Sequence, residues 1–323
     1  MKLQDIGFYT LDDTRAKESS AISPMHRLEI LLTDKCNFSC KYCRGPREDC
    51  KGEIPPEKAI NILEEWAVYG LKNVRFSGGE PTMYEGLSQL VKRAKELGVE
   101  HIAISTNGSA NIDVYDHLIK LGVNDFSISL DACCASFANK MAGTTGVFKK
   151  LVQNIKFIAK RTYVTVGCVF TEENIHTVAD VVKFAHGLGV ADIRIISSAQ
   201  YNQGLSKIEE ISEEILNAHP ILKYRVNNIK NGVPIRGLQE GDAKCCYLTL
   251  DDAAIAGNYH FPCIIYLREG GKPIGELSDG KTMRIEREKW ALEHNTLEDP
   301  ICSSNCLDVC RFYCNKAKEL RKI

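Results

Sequence analysis

The stretch Thr33-Asp34-Lys35-Cys36-Asn37-Phe38-Ser39-Cys40-Lys41-Tyr42-Cys43 decides how the chain is read. Three cysteines at C-x3-C-x2-C spacing follow directly on the apolar run Leu28-Glu29-Ile30-Leu31-Leu32, which has the composition of a strand. Thiolates are soft ligands that select iron–sulfur clusters or zinc. Three of them in one tight loop would hold a cubane cluster by three of its irons and leave the fourth open to a ligand. A structural zinc site wants four protein ligands, usually in pairs, and would have to recruit Cys50 as the fourth. A disulfide framework fits least, because nothing in the chain points to secretion.

Around that loop the chain alternates. Runs rich in Val, Ile, Phe or Leu recur at residues 27–32, 73–76, 101–105, 125–130, 162–170 and 192–196, bounded by Gly, Asn or Asp, and read as strands. Helical spacing fills the gaps at 56–69, 85–97, 114–121, 146–160 and 174–188, with glycines at 70, 98, 122 and 189 as stops. Strand, helix, glycine, strand specifies parallel βα units, since each crossover passes over the sheet in one hand. Six such units are too few for an eight-stranded barrel and suit a partial (β/α)6 TIM barrel. Reacting groups in such folds sit at the carboxyl ends of the strands. The cysteine loop follows the first strand, and Ser77-Gly78-Gly79-Glu80-Pro81 follows the second.

Cys36, Cys40 and Cys43, with aromatic Tyr42 just ahead of the last cysteine, resemble the loop that marks the radical S-adenosylmethionine (SAM) superfamily. Gly78-Gly79-Glu80-Pro81 resembles its second motif at the expected distance, which favours a cluster over zinc. The resemblance implies a [4Fe–4S] cluster on the three cysteines, with SAM chelated at the open iron. It also implies reductive cleavage of SAM to methionine and a 5′-deoxyadenosyl radical, abstraction of a substrate hydrogen atom, and an electron donor such as a flavodoxin or ferredoxin. Gly78 and Gly79 let a backbone approach a ligand without a Cβ in the way, and their carbonyls with the Glu80 carboxylate would suit the SAM ammonium. Ser105-Thr106-Asn107-Gly108 and Ser127-Ile128-Ser129-Leu130-Asp131 resemble segments that reach the methionyl part or ribose, which singles out Thr106, Asn107 and Ser129; Tyr42 joins them as a SAM-binding residue. Gly167-Cys168-Val169 and Ile195-Ile196 either flank the adenine or are core.

A change of composition divides the chain into an extension (1–24), the barrel (25–200), a helix at 206–217 with a connecting stretch at 227–241 (201–235 as linker), and a small cysteine-rich domain (236–323). Cys246, Gly257 and Cys263, then Cys302 and Cys306, resemble the auxiliary-cluster domains of the SPASM and twitch types. His260-Phe261-Pro262-Cys263 and Ile274-Gly275-Glu276-Leu277 resemble their hairpin and returning segment. Seven cysteines suffice for one four-thiolate cluster and not for two. The favoured ligands are Cys246, Cys263, Cys302 and Cys306, with Cys245, Cys310 and Cys314 as substitutes. The four-residue recurrence from Cys302 to Cys314 also fits buried cysteines on one helix face, and zinc fits the same residues. Cys133-Cys134 is a candidate hydrogen donor to a substrate radical, against the plainer expectation of two small buried residues. Cys50 and Cys168 read as structural.

The 323 residues, 44% hydrophobic and 26% charged, can bury a sizeable core. A net charge of −1 gives no electrostatic reason to expect nucleic acid or an anionic membrane, and the basic run 316–322 reads as a solvated helix end. The N-terminus lacks a signal-peptide pattern and no apolar run reaches the ~20 residues a membrane span needs. Fourteen cysteines therefore read as cytosolic thiols grouped for metal. A small molecule, or a peptide bound directly in the barrel, is the expected substrate, because the short N-terminus leaves no room for a leader-binding domain. Maturation of a ribosomal peptide or protein side chain is the alternative, and a non-catalytic zinc-binding interaction protein is the reading from another class.

Overall fold

The computed structural model describes residues 15–201, 205 and 211–321. After a short helix α1 (Arg15–Glu18) come β1 (Arg27–Thr33), α2 (Pro56–Ala67), β2 (Asn73–Gly78), α3 (Leu87–Glu96), β3 (His101–Thr106), α4 (Ile112–Leu121) and β4 (Asp125–Ser129). Two helices, α5 (Ala135–Ala142) and α6 (Phe148–Ala159), precede β5 (Tyr163–Phe170), α7 (Val178–His186) and β6 (Asp192–Ser197). The chain continues through α8 (Glu213–Ala218), α9 (Pro220–Lys230), β7 (Asp252–Ala256), β8 (Tyr259–Phe261) and α10 (Ile264–Arg268). It closes with β9 (Gly275–Glu276), α11 (Gly280–Glu293), α12 (Pro300–Asn305) and α13 (Asp308–Arg321). The six strands expected from the sequence are all present, each within two residues of its expected ends.

Two compact units share these elements, and neither is continuous in sequence. One comprises Met1–Lys35, Arg44–Ile102 and Arg236–Ile323; the other comprises Cys36–Cys43 and Ala103–Ile235. In the first, β1 runs parallel to β2 on one side and to β7 on the other, with Arg27 opposite Asn73 and Asp252. β8 and β9 continue from β7 in antiparallel pairing. Leu28, Ile30 and Leu32 are fully buried on one face of β1, while Glu29, Leu31 and Thr33 are buried on the other. A strand covered on both faces is what parallel packing requires. In the second unit β3, β4, β5 and β6 pair in that order, all parallel. Val164, Val166, Cys168 and Phe170 turn one fully buried face of β5 towards the core, and Gly167 and Val169 face the other way half-buried.

Several expectations need correction. The helix expected at 206–217 is α8, from 213 to 218, and residues 206–210 lie outside the described part. The first four residues of the expected connecting stretch at 227–241 belong to α9. Arg321 in the basic C-terminal run is not simply solvated: it bonds the Ser19 hydroxyl at 2.9 Å and the carbonyls of Ala16 and Ser19, tying α13 to α1. Long side chains of this kind bury their stems and guanidinium against carbonyls that helix ends leave free.

Candidate active site

The cysteine loop 36–43 belongs to the second unit and is fastened there at three points. The Ser39 amide donates to the Ala142 carbonyl at 2.9 Å, at the end of α5. Gly143 follows with φ +61°, and a Cβ there would meet the Ser39 carbonyl at 2.5 Å, so glycine is required. Beyond β3, the buried Asn107 donates through Nδ2 to Asn37 Oδ1 at 2.8 Å and points the same amide at Cys36 Sγ, 3.8 Å away. Its Oδ1 accepts from the Ser109 amide at 3.0 Å, and Asn37 donates to Ser109 Oγ at 2.8 Å. Beyond β4, Asp131 accepts from the Tyr42 hydroxyl and, through its other oxygen, from the Val169 amide at 2.8 Å.

The thiols differ in setting. Cys36 and Cys43 are exposed and Cys40 is half-buried. Burial, with the Asp131 carboxylate adding to it, pushes the Cys40 thiol up to about 12, and burial raises Asp131 itself to about 6. A metal bound here would displace the thiol protons. An amide donor aimed at Cys36 sulfur suits a thiolate that stays charged, so the residues present fit a cluster held by Cys36, Cys40 and Cys43.

Thr106 is spent inwards: its Oγ1 accepts from the Gly108 amide at 3.1 Å and lies 3.3 Å from the Tyr115 hydroxyl. Ser129 is exposed at the end of β4. The expected buried pair Cys133-Cys134 is not buried; Cys133 is half-buried and Cys134 exposed. Cys134 sits at the start of α5, 3.5 Å from Ser136 Oγ, and that hydrogen bond, with backbone amides, lowers its thiol. A pocket of about 320 Å³ in this unit is lined by Tyr42, Met141, Thr171, Glu173, Ser198 and Tyr201 among others.

Gly78, Gly79 and Glu80 close β2 in the first unit. Here the glycines answer to the chain rather than only to a ligand. Gly78 has φ +140° with the Thr33 backbone against its Cα, and a Cβ on Gly79 would strike the Asp34 carbonyl at 2.6 Å as well as that of Lys35. The Gly79 and Glu80 amides donate to the Thr33 and Lys35 carbonyls at 2.7 and 2.8 Å. Glu80 is 1% exposed and its carboxylate accepts from the amide and hydroxyl of Thr82. Arg268, at the end of α10, donates to the Gly78 carbonyl at 3.3 Å.

All seven C-terminal cysteines line one cavity of the first unit, with Leu238, Leu248, Pro262 and Trp290 among their apolar neighbours. Cys246 precedes a short 3-10 turn, and Cys263 caps α10 by accepting from the Tyr266 amide at 3.4 Å. Cys302 lies on α12, Cys306 ends it, and Cys310 and Cys314 are one turn apart on α13. The four-residue recurrence is therefore broken over two helices, and one helix face does not explain it. Cys314 Sγ lies 3.9 Å from Cys246 Sγ, and that hydrogen bond brings Cys246 down to about 7. Burial raises Cys263 to about 12 and pushes Cys302, Cys306 and Cys310 further up. An apolar cavity lined by seven cysteines fits a thiolate-ligated cluster. His294 Nε2 stands 4.0 Å from Cys302 Sγ and 3.4 Å from Asp299, so a mixed donor set lies at the same edge. Cys50 packs with Leu31, Ala254 and Phe261, and Cys168 is fully buried.

Sequence reasoning singled out neither Asn37 nor Asp131, although both lie in segments it quoted. It also passed over Arg287, whose guanidinium grips the main chain beside two of the cavity cysteines.

A parallel α/β fold with three cysteines on the loop after its first strand defines a class of iron–sulfur enzymes that use SAM. Residues 30–185 match the description "Radical SAM superfamily", and the chain belongs to that superfamily, whose cofactors are a [4Fe–4S] cluster and SAM. It is similar to probable GTP 3′,8-cyclases: 26% identical to that of Sulfurisphaera tokodaii over 220 residues, 62% of this chain and 70% of that one. With the Saccharolobus solfataricus protein it shares 28% over 204 residues, 59% of this chain and 66% of the relative. The matched stretch thus spans about two thirds of those relatives' length. Among solved structures, Streptococcus suis SuiB bound to the precursor peptide SuiA superposes with a TM-score of 0.61 and 17% identity, covering 91% of this chain and 71% of that one. AdoMet-bound anSMEcpe gives 0.59 at 15% identity over 93% of each chain. These structures establish the fold, a partial TIM barrel. Among the described residues no helix is long and apolar enough to cross a membrane.

Proposed function

We propose that this enzyme cleaves SAM reductively at a cluster held by Cys36, Cys40 and Cys43 and uses the 5′-deoxyadenosyl radical to abstract a hydrogen atom from a small-molecule or peptide substrate. The observation that carries it is the fastening of the cysteine loop: Asn107 and Asp131, beyond β3 and β4, hold Asn37 and Tyr42, the residues interleaved with the three thiols. When bound, a [4Fe–4S] cluster supplies the electron for cleavage. The chain does the rest. Asn107 keeps a donor on Cys36 sulfur and Asp131 fixes the Tyr42 ring; the carbonyls of the glycine turn at 78–79, with Glu80 held by Thr82, are the groups proposed for the SAM amino group. Ser129 stands exposed at a strand end, where a polar contact to SAM would form. Cys134 is exposed and Cys133 half-buried, which makes Cys134 the more accessible of the two candidate hydrogen donors.

The C-terminal cavity is proposed to hold one auxiliary [4Fe–4S] cluster in a SPASM/twitch-like domain, on four of its seven thiols. Cys246, Cys263, Cys302 and Cys306 remain the first choice. Cys314, hydrogen-bonded to Cys246, competes with Cys306 for the fourth place. A peptide substrate finds support in the likeness to peptide-bound SuiB, and a small molecule in the likeness to GTP cyclases. The test is anaerobic incubation of the reduced enzyme with SAM and cell extract, followed by mass spectrometry. Formation of 5′-deoxyadenosine together with one mass-shifted small molecule or peptide identifies the substrate class. A reduced, iron-loaded enzyme that yields no 5′-deoxyadenosine would refute the proposal.

A further inference from the structure

Arg287, on α11, is 1% exposed. Four of its contacts go to main-chain oxygens and a fifth to the His260 ring. Nε donates to Thr249 at 3.0 Å, Nη1 to Phe261 at 2.9 Å, and Nη2 to Asp252 at 2.5 Å and Pro262 at 3.4 Å. Two of these carbonyls belong to the segments that carry cavity cysteines: Thr249 lies three residues after Cys246, and Pro262 directly precedes Cys263. Other groups facing the guanidinium are the His260 ring, with Nδ1 at 3.4 Å, and the Trp66 ring at 6.0 Å. Among the described residues no side-chain carboxylate forms an ion pair with Arg287, and the Asp252 carboxylate that acts on it is itself 3.5 Å from Arg27.

Burying a full positive charge among neutral carbonyls is costly, and breaking even with it requires an anion close by in the same low dielectric. The fork of five donors accounts for these contacts, but neutral acceptors do not balance the charge they hold. The groups within its electrostatic reach that can supply that anion are the cavity cysteines Cys246 and Cys263, whose segments its donors hold. A cluster on four thiolates carries net negative charge and gains one more on reduction, so a fixed cation beside it favours the reduced form.

We propose that Arg287 is the buried countercharge of the auxiliary cluster and holds its reduction potential above the value that thiolate ligation alone would give. The inference rests on the reading that the C-terminal cavity carries that cluster. The step concerned is transfer of one electron from a chemical reductant to the cluster, with no bond made or broken and no proton taken up.

The test uses the full chain with Cys36, Cys40 and Cys43 all changed to Ala, so that any remaining iron sits in the cavity. Iron and sulfide are counted, and the midpoint is found by reductive titration followed by absorbance and electron paramagnetic resonance. Arg287→Met in this background is expected to lower the reduction equilibrium about tenfold, equivalent to about 59 mV for one electron. Arg287→Lys, which keeps the charge but not the fork of donors, is expected to keep the midpoint near that of the parent. Asp252→Asn, measured at pH 8, removes an opposing negative charge without touching the carbonyl that Arg287 grips, and is expected to raise the midpoint. An iron-loaded Arg287→Met protein with an unchanged midpoint overturns the inference alone. Should that variant fail to load, an unchanged or lowered midpoint in Asp252→Asn overturns it instead. A triple-alanine protein without iron overturns the auxiliary-cluster reading, and this inference with it.

Discussion

Replacing Asn107 with Asp exchanges a single heavy atom and should damage the cysteine loop more than truncation to Ala. Asn107 is 8% exposed, and its Nδ2 faces two acceptors, Asn37 Oδ1 at 2.8 Å and Cys36 Sγ at 3.8 Å. Asn107→Ala loses the bonds to Asn37 and from the Ser109 amide, about 1 kcal/mol each, or roughly 2 kcal/mol of local stability. Asn107→Asp keeps the Ser109 bond but turns a carboxylate oxygen on both acceptors. Two unit charges 3.8 Å apart repel by about 4 kcal/mol at an effective dielectric of about 20. Because Cys36 is exposed, solvent screening reduces that to roughly 1–3 kcal/mol. Asn37 could turn its amide over to meet the carboxylate, with the Ser109 hydroxyl turning to donate to it, but the repulsion from Cys36 sulfur would remain. Since about 1.4 kcal/mol is tenfold, iron uptake at limiting iron should fall about tenfold or more in Asn107→Asp and less in Asn107→Ala. The assay is iron content after reconstitution at limiting iron, with 5′-deoxyadenosine formation in parallel. An Asn107→Asp enzyme that loads iron and turns over as well as the Ala variant would refute the reasoning.

Arg268→Ala removes the donor on the Gly78 carbonyl; losing about 1 kcal/mol of support should weaken SAM binding about fivefold with iron content unchanged, as calorimetry would read. Gly79→Ala must push the Asp34 and Lys35 carbonyls away, so SAM binding should be lost and the melting temperature should fall by several degrees. Asp192, raised to about 6 by burial against an ordinary value near 3.8, binds its proton more tightly folded than unfolded. Its contribution is therefore full below about pH 4 and lost by about pH 6, a fall of about 3 kcal/mol. Asp192→Asn should flatten that part of the urea-midpoint profile, and a profile as steep as the parent's would contradict it.

The strands β1 to β6 were legible because each is a compact Val-, Ile- or Phe-rich run, and because Gly98, Gly122 and Gly189 stop helices at positive φ. β7 was not, because Asp252-Ala-Ala-Ile-Ala is short and buried throughout, and its partner β1 lies more than two hundred residues away. α11 escaped a reading by apolar periodicity because its buried face includes Arg284 and Arg287 beside Met283 and Ala291. Asn227 and Asn228 are weak helix formers, which hid the end of α9. At the site, spacing exposed the three loop cysteines and the glycine turn. It left out Asp131 and Asn37, whose roles arise from contacts between segments distant in sequence. The choice among the seven cavity thiols was equally hidden, since a break between α12 and α13 interrupts the recurrence that spacing displays.

The central claim is that the metal on the cysteine loop keeps one position free for SAM. The direct measurement is 5′-deoxyadenosine released per chain by the reduced, reconstituted protein, set against Cys40→Ser prepared in the same way. The account expects the parent to form it and the serine variant to form none while retaining about four irons in the C-terminal cavity. Equal yields from the two proteins, or none from a fully iron-loaded parent, would contradict it.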